Sequence, residues 1–472
     1  MAWRGILSGK RWVLAAGVAA VATVPVCAQI AVRNQGYIPY SDAPINYRSQ
    51  DLSDPVALLI KDIDAGKVKL TYDADHGYLR SVLDLLKVPA DSQTLVFSKT
   101  SFQYPKISPE HPRALYYNDD VYVGKVHDGK EIEIVSFDPK QGAIFYLLDE
   151  QKVDKPNFQR AELDCTQCHI AAGTRGVPGV LLRSVFPTQT GTLTPRAPTY
   201  ITDQESPLKQ RFGGWYVGGE LGKTSMANAV VTDLPAPDAP RVPGQTPNLN
   251  PLTKAYDTSA YIAPDSDPVA LLVLTHQAQM HNLITLTNYQ TRLALYVLEK
   301  NGGAGATQAA FNGDATSLDA LPDATRQKIQ KPADQLVRFL LFANETPLGL
   351  DAKKTIAESA FAREFAARGI KDSKGRSLRD FDLHDRIFKF PCSYLIYNIA
   401  FDTLPEPAKG YVYHRLLQVL TGADQSADFA NLSPQDRQAI LTILLETKPG
   451  LPAEWQDYAR AKHIKFAANT QP

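Results

Sequence analysis

Cys165-Thr166-Gln167-Cys168-His169 is the part of this 472-residue chain whose residue types and spacing could do chemistry. Two thiols three positions apart can add across the two vinyl groups of one porphyrin, and the imidazole that follows is then carried beneath the iron as an axial ligand. With four Cys and nine His in the chain, random order would give this pattern roughly 0.0006 times, so chance does not account for it. Two other chemistries use a C-x-x-C pair. A thioredoxin-like redox couple follows a strand in a βαβ unit, whereas 154–164 is polar and turn-like. Zinc needs further Cys or His at ligand spacing, and no second C-x-x-C occurs. The expectation is one covalent haem c, attached through Cys165 and Cys168, with His169 as proximal iron ligand.

The sixth iron position separates electron transfer from catalysis. Beyond Met1 the methionines are Met226 and Met280. Met280 lies in His276-Gln277-Ala278-Gln279-Met280-His281-Asn282, where helical spacing puts His276 and Met280 at i and i+4 on one face with His281 beside them. Met226, Met280, His276 and His281 are therefore the distal candidates, as iron ligands or, with Gln277, as proton-handling groups. The competing reading is that Met280 fills core and the histidines make ordinary hydrogen bonds; buried, each polar group of this heptapeptide must find a partner. Arg160, Arg175 and Arg183 flank the attachment motif and could hold haem carboxylates, or be solvated loop charge. Cys392 reads as a small buried hydrophobe, and Tyr394 and Tyr397 as aromatic core sooner than an electron relay.

The N-terminus tells where this chemistry would take place. Arg4, Lys10 and Arg11 precede an uncharged stretch from Trp12 to Val26, which is shorter than the roughly 20 residues a spanning helix needs. Val26-Cys27-Ala28 fits a signal-peptidase site, so cleavage is expected after Ala28. Residues 1–28 are then a signal peptide, and the mature chain is periplasmic or otherwise exported, without a transmembrane helix. Cleavage leaves Cys165, Cys168 and Cys392, too few for a disulfide framework. Lys+Arg 50 against Asp+Glu 50 gives formal neutrality, and loss of three leader cations makes the mature protein mildly acidic. No basic field supports nucleic-acid binding. The chain also lacks G-x-S-x-G, G-x-x-x-x-G-K and H-E-x-x-H.

Around the motif the texture changes twice. Residues 94–97, 114–117, 121–123, 131–135 and 143–148 are short apolar or alternating runs, with Gly124, Gly129 and Gly142 between them, and predict an antiparallel sheet. Residues 154–260 are loop-rich and include a Pro-rich stretch over 233–251. Helical spacing begins at Asp267 and recurs around 332–344, 355–368, 391–400, 409–421 and 433–446. Ser-Asp-Pro-Val-Ala-Leu-Leu occurs at both 53 and 266, which reads as one helix-start chemistry used twice. The fold class expected is α+β: a β-rich region over 29–153, a haem-attachment segment over 154–260, and a helical domain over 261–472 closing over the haem.

Cys165 to His169 is similar to the attachment motif of the c-type cytochromes. Over a wider span, Ser92 to Thr100, Pro112 to Gly124, Gly213 to Val217, His276 to Asn282 and Pro391 to Tyr397 resemble segments of large exported monohaem proteins described as cytochrome c domain-containing proteins. Related sequences carry histidines near the positions of Glu220 or Leu221 and of Ser225; their absence here argues against a second metal site in that loop and leaves Met226 as a candidate. The resemblance implies haem binding and electron-transfer capacity with an unidentified redox partner protein, and no substrate. Because a simple cytochrome c domain needs about 100 residues, the alternative is a haem enzyme, peroxidase- or oxygenase-like with an open distal site, or a haem-based sensor.

Overall fold

The computed structural model describes residues 38–194, 197–219, 221, 230–232, 249–251, 256–311 and 315–467. The expected signal peptide, Met226 and most of the Pro-rich stretch lie outside the described residues. The five apolar runs all form strands: β1 Thr94–Val96, β2 Arg113–Tyr117, β3 Val121–Lys125, β4 Glu131–Asp138 and β5 Gly142–Asp149. With β6 Phe158–Arg160, and β9 Trp215–Tyr216 returning from beyond the attachment motif, they make one antiparallel sheet in the order β6-β5-β4-β3-β2-β1-β9. Two short ribbons stand apart from it, β7 Leu182–Val185 with β8 Thr199–Thr202 and β10 Val230–Thr232 with β11 Leu249–Pro251. Gly142 has φ +72°, the left-handed conformation that closes the β4–β5 hairpin. Gly124 is no turn residue, contrary to the sequence expectation: it pairs with Leu115 and Glu133 inside β3.

The helices are α1 Pro55–Asp64, α2 Leu79–Leu85, α3 Glu162–His169, α4 Pro268–Lys300, α5 Ala304–Ala310, α6 Asp323–Leu340, α7 Ala352–Glu358, α8 Ala360–Ala367, α9 Ile399–Asp402, α10 Glu406–Thr421, α11 Pro434–Thr447 and α12 Ala453–Ala461. The chain is thus α+β, with its sheet in the first half and helices dominating the second. Two helical expectations need correction. Around 391–400 the backbone makes only a 3₁₀ turn over Tyr394–Tyr397, capped by Ser393, before the one-turn α9, which Asn398 caps. α6 begins at Asp323, and Pro332, expected near its start, lies in its interior.

α4 is the organising element. Every residue from Val269 to Tyr289 is buried, and the helix packs against β1, β5, α6, α8 and α10. The described residues from 39 onward form one compact unit; one hydrophobic core runs from Val96 to Ala459, with a separate cluster around Leu295, Ala310 and Ile329. The boundaries expected at 153 and 260 are therefore not domain boundaries: β9 completes the sheet and α4 lies on it. No helix among the described residues is long and apolar enough to cross a membrane; α4 has the length, but its buried middle is polar.

The repeated heptapeptide does the same work twice. Asp54 Oδ1 accepts from Val56 N and Ala57 N at the start of α1, and Asp267 Oδ1 accepts from Val269 N and Ala270 N at the start of α4. In both, a distant hydroxyl takes the second carboxylate oxygen: Tyr146 donates to Asp54 Oδ2 (2.9 Å) and Ser359 to Asp267 Oδ2 (2.7 Å). Pro follows each cap at the first helical position, where no N–H is needed. Asp267→Ala removes a cap and takes away the acceptor of the buried Ser359 O–H, whose oxygen still accepts from Ala362 N, so unfolding in denaturant should show a loss of about 1–3 kcal/mol. An unchanged midpoint would show that α4 does not depend on this start.

Candidate functional site

α3 carries the C-x-x-C-H motif on two helical turns, so Cys165 and Cys168 stand one turn apart on one side of the helix. Both thiols are free, Cys165 half-buried and Cys168 exposed. They open onto a cleft against the sheet with about 180 Å³ of interior space. β2 to β5 supply its floor through Leu115, Tyr122, Val135 and Phe145, while Leu182, Trp215, Leu274 and Ala278 wall it. The lining is largely apolar, as a porphyrin face requires.

His169 is held by its own following loop. Its Nδ1–H donates to the carbonyl of Gly179 (2.8 Å) and its backbone carbonyl accepts from Gly179 N (3.1 Å). That bond commits Nδ1 and leaves the Nε2 lone pair available to a ligand or metal. Phe145 packs on the ring at a 5.0 Å centroid distance, and burial pushes the imidazole pKa down, favouring the neutral form a metal binds. Gly179 is in turn fixed from α4. Asn282 Oδ1 accepts from Val180 N (3.1 Å) and Asn282 Nδ2 donates to Val180 O (2.7 Å). A Cβ at Gly179 would collide with the Asn282 amide, so glycine is required there by close approach.

The rest of the polar heptapeptide is paired in the same manner, except at His281 Nδ1, which is buried without a hydrogen-bond partner. Gln279 Nε2 donates to Gly173 O (2.9 Å), and Arg175 Nε donates to Gln279 Oε1 (3.2 Å). Gln277 Nε2 donates to Asn118 O and to the Tyr122 hydroxyl, while its Oε1 accepts from Tyr394. His276 Nδ1 donates to Gln204 Oε1 (2.5 Å) and Nε2 accepts from Ser393 (2.8 Å), with Phe342 stacked on the ring. His281 Nε2 donates to Asp119 O (2.9 Å), and its ring stacks on Phe137 at 3.9 Å.

These partners bear on the distal candidates. His276, Met280 and His281 are not among the residues lining the cleft; α4 presents Leu274 and Ala278 to it, and Met280 is buried in the core. Met280 is two positions from Ala278, about 200° around the helix, which turns it away from the face that Leu274 and Ala278 share. Both ring nitrogens of His276 are occupied. Among the described residues the cleft lining contains no methionine and no histidine other than His169. Nor do Arg160, Arg175 or Arg183 line it: Arg160 donates to Tyr47 O and Ser49 O, and Arg175 to Gln279. The cation in the cleft is Arg113, which sequence reasoning passed over because an isolated arginine at a strand start carries no pattern. Tyr397 bonds Thr447 (2.6 Å), Tyr394 sits in the aromatic cluster of Phe365 and Phe388, and Cys392 is fully buried.

The electrostatics weigh against the other uses of the thiol pair. Burial first, then Glu133 and Asp164, push the Cys165 thiol up to about 12. A redox-active C-x-x-C needs a lowered thiol pKa. Among the described residues no group of three or more His, Cys, Asp or Glu could hold a metal ion. Comparison with protein-family models, curated proteins and solved structures finds no match.

Two predictions follow from the clamp on α4. Asn282→Ala orphans both the N–H and the C=O of buried Val180, so chemical denaturation should show a loss of about 2–4 kcal/mol. Burial holds His276 down to about 3 and His281 down to about 4, against about 6.5 in the unfolded chain. The unfolded state therefore binds more protons between those limits, and stability falls as pH drops from about 6.5 towards 4. His276→Gln should flatten that slope in urea melts across the range; an unaltered slope would mean His276 is not buried neutral.

Proposed function

We propose that this protein binds one haem c, with Cys165 and Cys168 as the covalent anchors and His169 Nε2 as the proximal ligand. What carries the reading is the imidazole beside the thiol pair: its Nδ1 is committed to the Gly179 carbonyl, and its other nitrogen is free at an apolar cleft. The residues fit the group. Two thiols one helical turn apart flank a neutral histidine, and the protonated state of Cys165 suits addition to a vinyl group within a dedicated attachment step better than spontaneous redox exchange. Bound there, haem supplies a one-electron iron couple and an axial coordination site. The chain's own residues hold it: Gly179 orients His169 and raises its basicity, while Leu115, Val135, Phe145 and Leu274 keep water from the cleft.

Among the described residues the lining offers no methionine and no second histidine, which supports an exchangeable sixth position, with Met226 as the competing ligand. We therefore read the protein as an exported haem c redox protein that takes a small exogenous ligand, enzyme-like or sensor-like. The leader pattern of residues 1–28 supports export, since haem c is attached outside the cytoplasm.

The test is a pyridine haemochrome assay with resonance Raman spectra on protein purified after export. One haem c per chain is expected, lost in Cys165→Ala/Cys168→Ala, with iron that binds CO and azide and a spectrum unchanged by Met280→Leu or His281→Gln. A haem-free wild type, or covalent haem surviving in the double variant, would overturn the assignment. A six-coordinate low-spin iron that converts to high spin in Met226→Ala would instead make it a Met/His electron-transfer protein.

A further inference from the structure

The cleft contains one charged pair that the haem reading does not use. Arg113 of β2 and Glu133 of β4 flank β3, and between them lies Gly124, paired with Glu133 in the register. The Arg113 side chain crosses β3 over this glycine to reach Glu133 Oε2. A Cβ at Gly124 would collide with the guanidinium, so the missing side chain is the channel in which Arg113 lies. Glu133 is held from its other side, where Ser101 Oγ (2.6 Å) and Gln103 Nε2 (2.9 Å) both donate to Oε1.

This is a built site with one group left over. Arg113 Nε is buried and has no hydrogen-bond partner, and a donor stranded in an apolar cleft is costly unless something accepts from it. Arg113 and Glu133 line the same cleft as Cys165, Cys168 and His169, so the pair shares the space onto which those residues open.

We propose that Arg113 is the anion-binding group of the cleft, its free Nε–H donating to an anionic acceptor held there. This rests on the haem reading above. Two sources of such an acceptor share the chemistry, a carboxylate of the porphyrin and a small exogenous anion at the iron. Glu133 and Gly124 are the positioning residues: the carboxylate fixes the guanidinium plane, and the glycine lets it pass.

The experiment compares wild type, Arg113→Gln, Arg113→Lys and Gly124→Ala, each with its haem content measured. Azide titration of ferric protein, CO titration of ferrous protein and the resonance Raman propionate bands are the readouts. Gly124→Ala keeps every charge and alters only the path of Arg113, so it carries the test should Arg113→Gln fail to fold. A tenfold or larger loss of azide affinity in all three variants, with CO affinity unchanged, assigns Arg113 to an exogenous anion. Shifted propionate bands with unchanged azide affinity assign it to the porphyrin carboxylate. Unchanged azide affinity and unchanged propionate bands in haem-loaded variants overturn the proposal and leave the pair a structural one. Absence of haem from the wild type would instead refute the haem reading itself.

Discussion

Asn282 bonds both backbone groups of Val180, and through that contact the middle of α4 decides where the loop after the C-x-x-C-H motif lies. A helix buried on all sides is ordinarily apolar all round. α4 instead carries six polar side chains between Thr275 and Asn282, in a medium where each unpaired group costs about 1–3 kcal/mol. Folding is therefore constrained to bring a partner to each: Gln204 and Ser393 to His276, Asn118 and Tyr394 to Gln277, Gly173 and Arg175 to Gln279, Asp119 to His281. These partners come from the sheet, the attachment loop and the C-terminal half. One helix thus registers three distant parts of the chain against each other, and His169 inherits its orientation from that registration.

The sheet plays the complementary part. Alternation along β2 and β3 sends Arg113, Leu115, Tyr122 and Gly124 towards the cleft, so the attachment motif faces a surface laid down before it in the chain. Phe145 packs at a tilt against His169, while the Gly124 gap admits the ion pair of the floor. An apolar floor with one fixed pair would give the proposed haem surroundings low in dielectric and defined in charge, the levers by which a protein tunes an iron potential and its ligand preference. The proposed role in binding a small anion follows from that combination, not from the attachment motif, which electron-transfer proteins and enzymes share.

Much was legible in the sequence because local chemistry suffices for it. Five strands were visible as apolar runs, and both helix starts at 54 and 267 were visible as Asp-Pro caps, since a cap needs only its own next three residues. The C-x-x-C-H spacing stands by itself for the same reason: one helical turn brings the two thiols and the imidazole together. Where local signals conflict, reading failed. The 391–400 segment is apolar enough for a helix, yet Pro391, Ser393 and Asn398 break it into turns.

The sequence by itself determined the C-x-x-C-H spacing, the α+β texture and the demand that the 276–282 heptapeptide be paired. Only the tertiary structure decided what pairs with it. Spacing places His276 and Met280 on one helix face but cannot say which face meets the cleft, because that depends on how α4 rolls against a sheet far away in sequence. The roll turns Leu274 and Ala278 to the cleft and sends His276, Met280 and His281 elsewhere. The same holds for Arg113, Glu133 and Gly124, which lie on three separate strands and share no motif. Cross-strand register brought them together, and register is a property of the folded sheet.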